Sequence, residues 1–276
     1  MSEEITITAS GRQLTFIGTW PEYLHGLQGW NADVGPVAQA TKDLSPGALC
    51  LDVGANIGVV SIALAAQRPD CRIIAFEPIP DNANCLRHNI KINAILNVEV
   101  VEAAASDRRG YLPMANNGPY SAVTPRSSLQ CRAVPLDDYS EHPVAFVKID
   151  TEGYEPVVVN GARHLFLKHK PLVLAEFNSW CMLVHGYNPI EFSKAIWSST
   201  EVLGMYYLDN PSALPKSSVD IAHENIKNHQ CVTDVLFRPH SEFPEFEVMV
   251  YPPELIALCK ELRATRSSLS QRTALC

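Results

Sequence analysis

The residues best suited to chemistry stand where short apolar runs end. Leu51-Asp-Val-Gly-Ala-Asn-Ile-Gly58 closes one such run. A glycine at 54 permits a sharp turn and lets a ligand approach the backbone. Gly58 stands at the expected start of a helix, where free N–H groups favour a carboxylate or phosphate. The pattern is Asp-x-Gly-x-Asn-x-Gly rather than Gly-x-Gly-x-x-Gly, so the dinucleotide fingerprint is not met and a nicotinamide oxidoreductase is disfavoured. Glu77 closes the next apolar run, Ile73-Ile-Ala-Phe76. Doubly wound folds place an acid there to accept hydrogen bonds from ribose hydroxyls. Loop, spacing and acid together predict a nucleoside-bearing cofactor. The plainer alternative is a glycine-rich turn beside a surface glutamate.

These groups need a sheet to hold them. Strands are predicted at Leu49–Val53, Arg72–Glu77, Val98–Ala103, Val144–Ile149 and Leu172–Phe177, with further strands at Met205–Leu208 and Val232–Phe237. Helical spacing covers Ile57–Gln67, Asp81–Asn93, Glu155–Lys168 and Pro189–Val202. Strands alternating with long helices imply βαβ units, hence an α/β fold with a mostly parallel sheet. Residues 107–130 are rich in Gly, Pro, Ser and Asn and read as loop. Pro252–Leu262 reads as a surface helix with a frayed polar tail.

The 276 residues are 46% hydrophobic and 19% charged, with mean hydropathy −0.02. This is globular composition, long enough for a full core without staples. A formal charge of −8 gives no basic excess for a phosphate backbone, so nucleic acid is not the expected partner. The longest apolar stretch, Val59–Ala66, is too short to span a membrane. Met1-Ser-Glu-Glu4 lacks the pattern of a secretory signal. The 8 cysteines include no Cys-x-x-Cys pair, which favours reduced thiols and a cytoplasmic location and gives no zinc spacing.

Asp52-Val-Gly-Ala-Asn-Ile-Gly58 followed by Phe76-Glu-Pro78 resembles a class I methyltransferase dependent on S-adenosyl-L-methionine. Val134-Pro-Leu-Asp-Asp-Tyr139, Val147-Lys-Ile-Asp-Thr-Glu-Gly-Tyr-Glu155, Asn160-Gly-Ala162 and Leu172-Val-Leu-Ala-Glu-Phe-Asn178 narrow the resemblance to the FkbM family. That family mostly O-methylates hydroxyls of sugars, polyketides and related natural products. The resemblance covers about residues 48–178 and implies a Rossmann-like, mostly parallel seven-stranded sheet with helices on both faces. It implies that Gly54, Ala55 and Asn56 line the methionine end of the cofactor, with Asp52 at its amino group. Gly58 and Pro78 belong to the same motifs. Glu77 would hold the ribose, Ile79 would pack on adenine, and Ser106 or Asp107 would bond the adenine edge. A polar turn explains Ser106 and Asp107 equally well.

Methyl transfer to a hydroxyl needs in-line placement and a route for the hydroxyl proton. Open parallel sheets put ligands at strand carboxyl ends. Lys148, Asp150, Glu152 and Glu155 follow from the fourth strand, Glu176 and Asn178 from the fifth. Asp150, Glu176 and Asn178 make an acid, acid, amide set suited to Mg²⁺. The competing reading makes Asp150 or Glu176 the general base, with Lys148 paired to an acid. Glu155 could instead support a helix start, Asn178 could be a helix cap, and His185 is a further candidate base. Trp20, Tyr23, His25 and Trp30 would form a lid over the acceptor or simply pack on the core.

The chain is accordingly divided into an N-terminal cap or lid over 1–44, a methyltransferase domain over 45–240 and a C-terminal helix and tail over 241–276. The expected partner is a small-molecule or glycosidic acceptor, with a homodimer among the open oligomeric states. Two other functions stay in view. An N-methyltransferase is one, although Asp150-Thr-Glu-Gly153 replaces the Asn/Asp-Pro-Pro-Tyr/Phe of amino-directed base methyltransferases. The other is a non-catalytic nucleoside-binding module.

Overall fold

The computed structural model describes residues 3–9, 11–27, 35–125, 127–207, 210–227 and 232–248. An N-terminal hairpin, β1 (Glu3–Ala9) and β2 (Arg12–Gly18), precedes the short helices α1 (Pro21–Gly26) and α2 (Pro36–Thr41). The alternating unit then runs β3 (Leu49–Val53), α3 (Val59–Gln67), β4 (Arg72–Phe76), α4 (Pro80–Ile92) and β5 (Val98–Val101). An excursion follows through β6 (Ala104–Ala105), β7 (Gly110–Ala115), β8 (Ala122–Val123) and β9 (Gln130–Val134). The main sheet resumes with β10 (Val144–Ile149), α5 (Glu155–Asn160), α6 (Arg163–His169) and β11 (Leu172–Asn178). The last part holds α7 (Ser179–Val184), α8 (Pro189–Ser199), β12 (Thr200–Tyr207), β13 (Asn210–Pro211), α9 (Ser218–Lys227) and β14 (Val232–Pro239).

The main sheet has the order β13-β12-β14-β11-β10-β3-β4-β5. Pairings from β11 through β5 are parallel, and β14 runs antiparallel to both β11 and β12. This is the mostly parallel, Rossmann-like arrangement expected from the sequence, with the two-residue β13 added at one edge as an eighth strand. Central strands read as unbroken apolar runs because helices cover both faces. Every residue of β3 and β11 is buried. Alternation then divides them: Leu49, Leu51 and Val53 join the core of α5, α6 and α8, whereas Cys50 joins the core of α3 and the hairpin.

Three expectations need correction. The 107–130 stretch is not all loop, because β7, β8 and β9 pair there in a separate four-stranded sheet, order β6-β9-β7-β8. The expected helix over 155–168 breaks at Gly161, whose α-carbon lies so close to the Ser106 carbonyl that a Cβ would overlap it. The helix expected to reach Val202 stops at Ser199, and Thr200 opens β12 while its Oγ1 donates back to the Ile196 carbonyl at 2.6 Å. The helix expected over Pro252–Leu262 lies outside the described residues.

The hairpin docks on α4 through two asparagines. Asn89 Oδ1 accepts from Ile17 N at 2.9 Å, while its Nδ2 donates to Ile17 O at 3.0 Å and Ile57 O at 2.9 Å. One turn on, Asn93 Oδ1 accepts from Thr15 N at 2.8 Å and Nδ2 donates to Thr15 O at 2.6 Å. The two amides give the outer edge of β2 the partners another strand would supply. Asn89→Ala would strand three backbone groups, so urea denaturation is expected to show a loss of about 2–3 kcal/mol, with faster amide exchange confined first to 12–18.

Candidate active site at the carboxyl ends of the strands

A cavity of about 240 Å³ opens where β3, β4, β10 and β11 end. Its floor is set by one close approach. The Asp150 amide donates to Val53 O at 3.0 Å, and a Cβ on residue 54 would overlap the Asp150 carbonyl. Gly54 therefore has no replacement there, and its φ of +83° is a second reason. Gly54 N and Ala55 N both donate to Phe76 O, at 3.0 and 2.9 Å, which binds the loop to the end of β4.

On the β3–β4 side stand Asp52 and Glu77, both buried. Asp52 Oδ2 accepts from Ser61 Oγ at 2.5 Å, and Oδ1 has no partner. Burial raises its pKa, against the lowering effect of Lys148 and the Ser61 hydroxyl. Glu77 Oε2 accepts from Asn56 N at 2.8 Å and Oε1 from Ile79 N at 2.9 Å. Burial still lifts Glu77 to about 7 despite those bonds.

On the β10–β11 side, Lys148 Nζ donates to Asp150 Oδ2 at 2.8 Å. Burial works against the charged ammonium, but Asp150 and Asp52 outweigh it and raise the Lys148 pKa. Glu176 is buried beside them with Oε2 unpartnered, its pKa raised by burial and then by Asp150, Glu155 and Glu152. Glu152 lines the same wall on a strained turn, with φ of +56° at Glu152 and +93° at Gly153. Burial, Asp150 and Glu155 lift Glu152 to about 8. Glu155 underpins this turn: its Oε1 accepts from Thr151 N at 2.8 Å, Thr151 Oγ1 at 2.9 Å and Gly153 N at 3.3 Å.

The cavity wall includes Asp52, Gly54, Ala55, Asn56, Glu77, Pro78, Lys148, Asp150 and Glu176 among the residues read from sequence. Others stand elsewhere. Gly58 lies against the Leu86 side chain. Ile79 is fully buried and packs with Ala104, Met114 and Cys131. Ser106 and Asp107 do not reach the wall: Ala103, Ala104 and Ala105 line it, and Ser106 Oγ bonds Asp107 Oδ1 at 3.1 Å. Asn178 Oδ1 accepts from Cys181 N at 3.0 Å and caps α7, and Asn178 is not among the residues that line the cavity. With Lys148 seated on Asp150 as well, the acid, acid, amide set for Mg²⁺ does not fit this geometry. Among the described residues no group of three His, Cys, Asp or Glu is placed to hold a metal. His185 Nε2 bonds the Glu152 carbonyl at 3.1 Å behind the wall.

Two segments outside the main sheet complete the cavity. Tyr23 of α1 and Tyr120, between β7 and β8, both line it. Trp20 sits directly on Gly118, where a Cβ would overlap the indole, and Asn82 Nδ2 donates to Gly118 O at 3.2 Å. His25 is instead at the surface, 3.4 Å from Glu3. Trp30 lies outside the described residues. Glu152, read from the sequence as a strand-end candidate with a turn as the alternative, lines the wall and forms the turn at once, whereas Asn82, also on the wall, carried no signal in the sequence.

The model of the family described as Methyltransferase FkbM domain matches residues 52–200. Among solved structures, the chain is similar to the methyltransferase FkbM of Methylobacillus flagellatus, at 17% identity and a TM-score of 0.51, covering 79% of this chain and 50% of that one. Curated relatives match locally. Release factor glutamine methyltransferase of Escherichia coli is 33% identical over 73 residues, 25% of this chain and 26% of the relative. Methyltransferase sdnD of Sordaria araneosa is 35% identical over 65 residues, 23% of this chain and 25% of the relative. The chain thus spans about a quarter of the length of these curated relatives.

The raised carboxyls fix how stability depends on pH. Glu77 moves from 4.5 to about 7 on folding, so the folded state holds its proton more tightly. Its contribution is present in full below pH 4.5 and is lost as pH rises to about 7, on the order of 3 kcal/mol. Denaturation midpoints are expected to fall from pH 5 to pH 8, and Glu77→Gln is expected to flatten that slope.

Proposed function

This chain belongs to the FkbM methyltransferase family, and on that premise we propose that it transfers the methyl group of S-adenosyl-L-methionine to a hydroxyl of a small acceptor, such as a sugar or a hydroxylated natural product. The observation that carries the proposal is the pairing of two acidic half-sites in one cavity: Asp52 and Glu77 across the Gly54 loop, and Asp150, Glu152 and Glu176 at the ends of β10 and β11.

The first half-site fits the cofactor. Asp52 keeps an unpartnered buried oxygen that an ammonium donor satisfies. Glu77 Oε1 accepts from Ile79 N and, at 3.4 Å, from Asn82 Nδ2, while Oε2 accepts from Asn56 N alone and keeps a lone pair for a ribose hydroxyl. The Gly54 loop, fastened to Phe76 O and pressed against the Asp150 carbonyl, forms the backbone wall for the methionine end. When bound, the cofactor supplies an electrophilic methyl on a sulfonium. The chain's own task is then to orient the acceptor and remove its proton.

Asp150, anchored by Lys148, offers its other oxygen to the acceptor hydroxyl. Glu152 is best matched to take the proton, because a carboxyl titrating near neutrality is both available as a base and strong enough to act as one. Tyr23 and Tyr120 supply aromatic surface for the acceptor.

The test is methyl transfer from labelled cofactor to a panel of sugars and hydroxylated natural products, with the product position read by NMR. The base must be ionised to act, so kcat/KM is expected to rise with pH through an apparent pKa near 8. Glu152→Gln is expected to lower kcat about 10²–10³-fold and abolish that rise, leaving the cofactor KM nearly unchanged. Methylation at nitrogen, or an unaltered profile in Glu152→Gln, overturns this assignment.

A further inference from the structure

Glu176 belongs to the second half-site but takes no part in the proton transfer described above, although its position is costly. It is 8% exposed, it faces the cavity, and Oε2 has no hydrogen-bond partner. Glu155 Oε2 is likewise unpartnered, but Glu155 is occupied with the 151–153 turn through its other oxygen, whereas Glu176 lines the cavity, where a group from outside the chain can complete it. Its surroundings narrow what that can be. Asp150 and Glu152 approach from the end of β10, and Glu155 from the start of α5. Asp234 of β14 is its register partner in the sheet. Lys148, the ammonium nearby, is already bonded to Asp150, and His185, whose charged form burial disfavours, turns its ring to the Glu152 carbonyl.

The sheet order separates this group from the cofactor half-site. Glu77 follows β4 and Glu176 lies on β11, with β3 and β10 between them. Three strand spacings amount to about 14 Å. The ammonium of the cofactor has Asp52, and its ribose has Glu77. Glu176 therefore faces the acceptor side of the cavity.

Resting on the methyltransferase reading, we propose that the acceptor carries a primary ammonium beside its reactive hydroxyl, and that Glu176 is the counter-ion that seats it. A neutral hydroxyl would satisfy one lone pair but bring no positive charge to a site with several acids around it. An ammonium offers three donors and a full positive charge. The same carboxylates hold that nitrogen protonated and so without a lone pair, which makes it an anchor while the hydroxyl reacts. Amino sugars and amino alcohols are the substrate class this describes.

The test uses the full chain loaded with S-adenosylhomocysteine, whose binding is measured first. Failure at that first step rejects the methyltransferase reading itself. Glucosamine against glucose, and 2-aminoethanol against 1,2-ethanediol, are then titrated by calorimetry. The amines are expected to bind at least tenfold more tightly than their neutral partners. Because Glu176 is held protonated by burial and by its acidic neighbours, seating the amine is expected to release up to one proton, read by repeating the titration in phosphate and in Tris. Glu176→Gln is expected to erase the amine preference. Equal affinity within both pairs, no amine binding, or a preference that survives in Glu176→Gln overturns the proposal. So does a Glu176→Gln variant that loses only its preference for S-adenosylmethionine over S-adenosylhomocysteine, since the carboxylate would then serve the sulfonium. The wild-type titrations decide the matter even where the variant does not fold.

Discussion

Concentrating negative charge in a dry place is costly, and the end of this sheet is organised around that cost. Asp52, Glu77, Asp150, Glu152 and Glu176 share one cavity wall, where Lys148 is the ammonium among the described lining residues. Carboxylates that lose water without gaining a partner hold their protons. Glu77, Glu152 and Glu176 are accordingly lifted by burial, and the last two also by Asp150 and Glu155. The Lys148–Asp150 pair is the local compensation. A cationic ligand is the remaining one, which is why the pattern reads as a binding site rather than as a stabilising network.

Backbone geometry keeps those charges in place. The contact of Gly54 with the Asp150 carbonyl brings β3 and β10 to one level, so both half-sites face the same space. Glu155 holds the 151–153 turn from below. Asn225, fully buried in α9, performs the corresponding task at β11. Its Nδ2 donates to Phe177 O at 2.5 Å and Thr233 Oγ1 at 2.9 Å, and its Oδ1 accepts from Ser179 N at 3.2 Å. The roof has a different origin. It combines α1, carried by the hairpin that Asn89 and Asn93 fasten to α4, with the segment between β7 and β8.

The parallel strands were legible because residues buried on both faces leave a continuous apolar signature. Leu49–Val53 and Val144–Ile149 begin and end where the apolar runs do. The acids Asp52, Glu77, Asp150 and Glu176 were legible because each punctuates such a run. What was illegible depends on contacts between distant segments. The break at Gly161 comes from Ser106, and the short pairings of β7 to β9 are masked by Gly, Pro and Ser. Ser106 and Asn178 carry suitable chemistry, but local hydrogen bonds claim both, and no spacing rule distinguishes a cap from a ligand. Glu152 is a different case, since the strand-end reading and the turn reading both hold: it sits in a left-handed conformation at the cavity wall.

The central claim is that the acids beside the Gly54 loop form a preorganised seat for an adenosyl ligand. Calorimetric titration of the full chain with S-adenosylhomocysteine tests it most directly. The account predicts one site per chain, weakened at least tenfold in Glu77→Ala while the fold, judged by circular dichroism, is retained. An absence of binding by the wild type, or undiminished binding in Glu77→Ala, would contradict it.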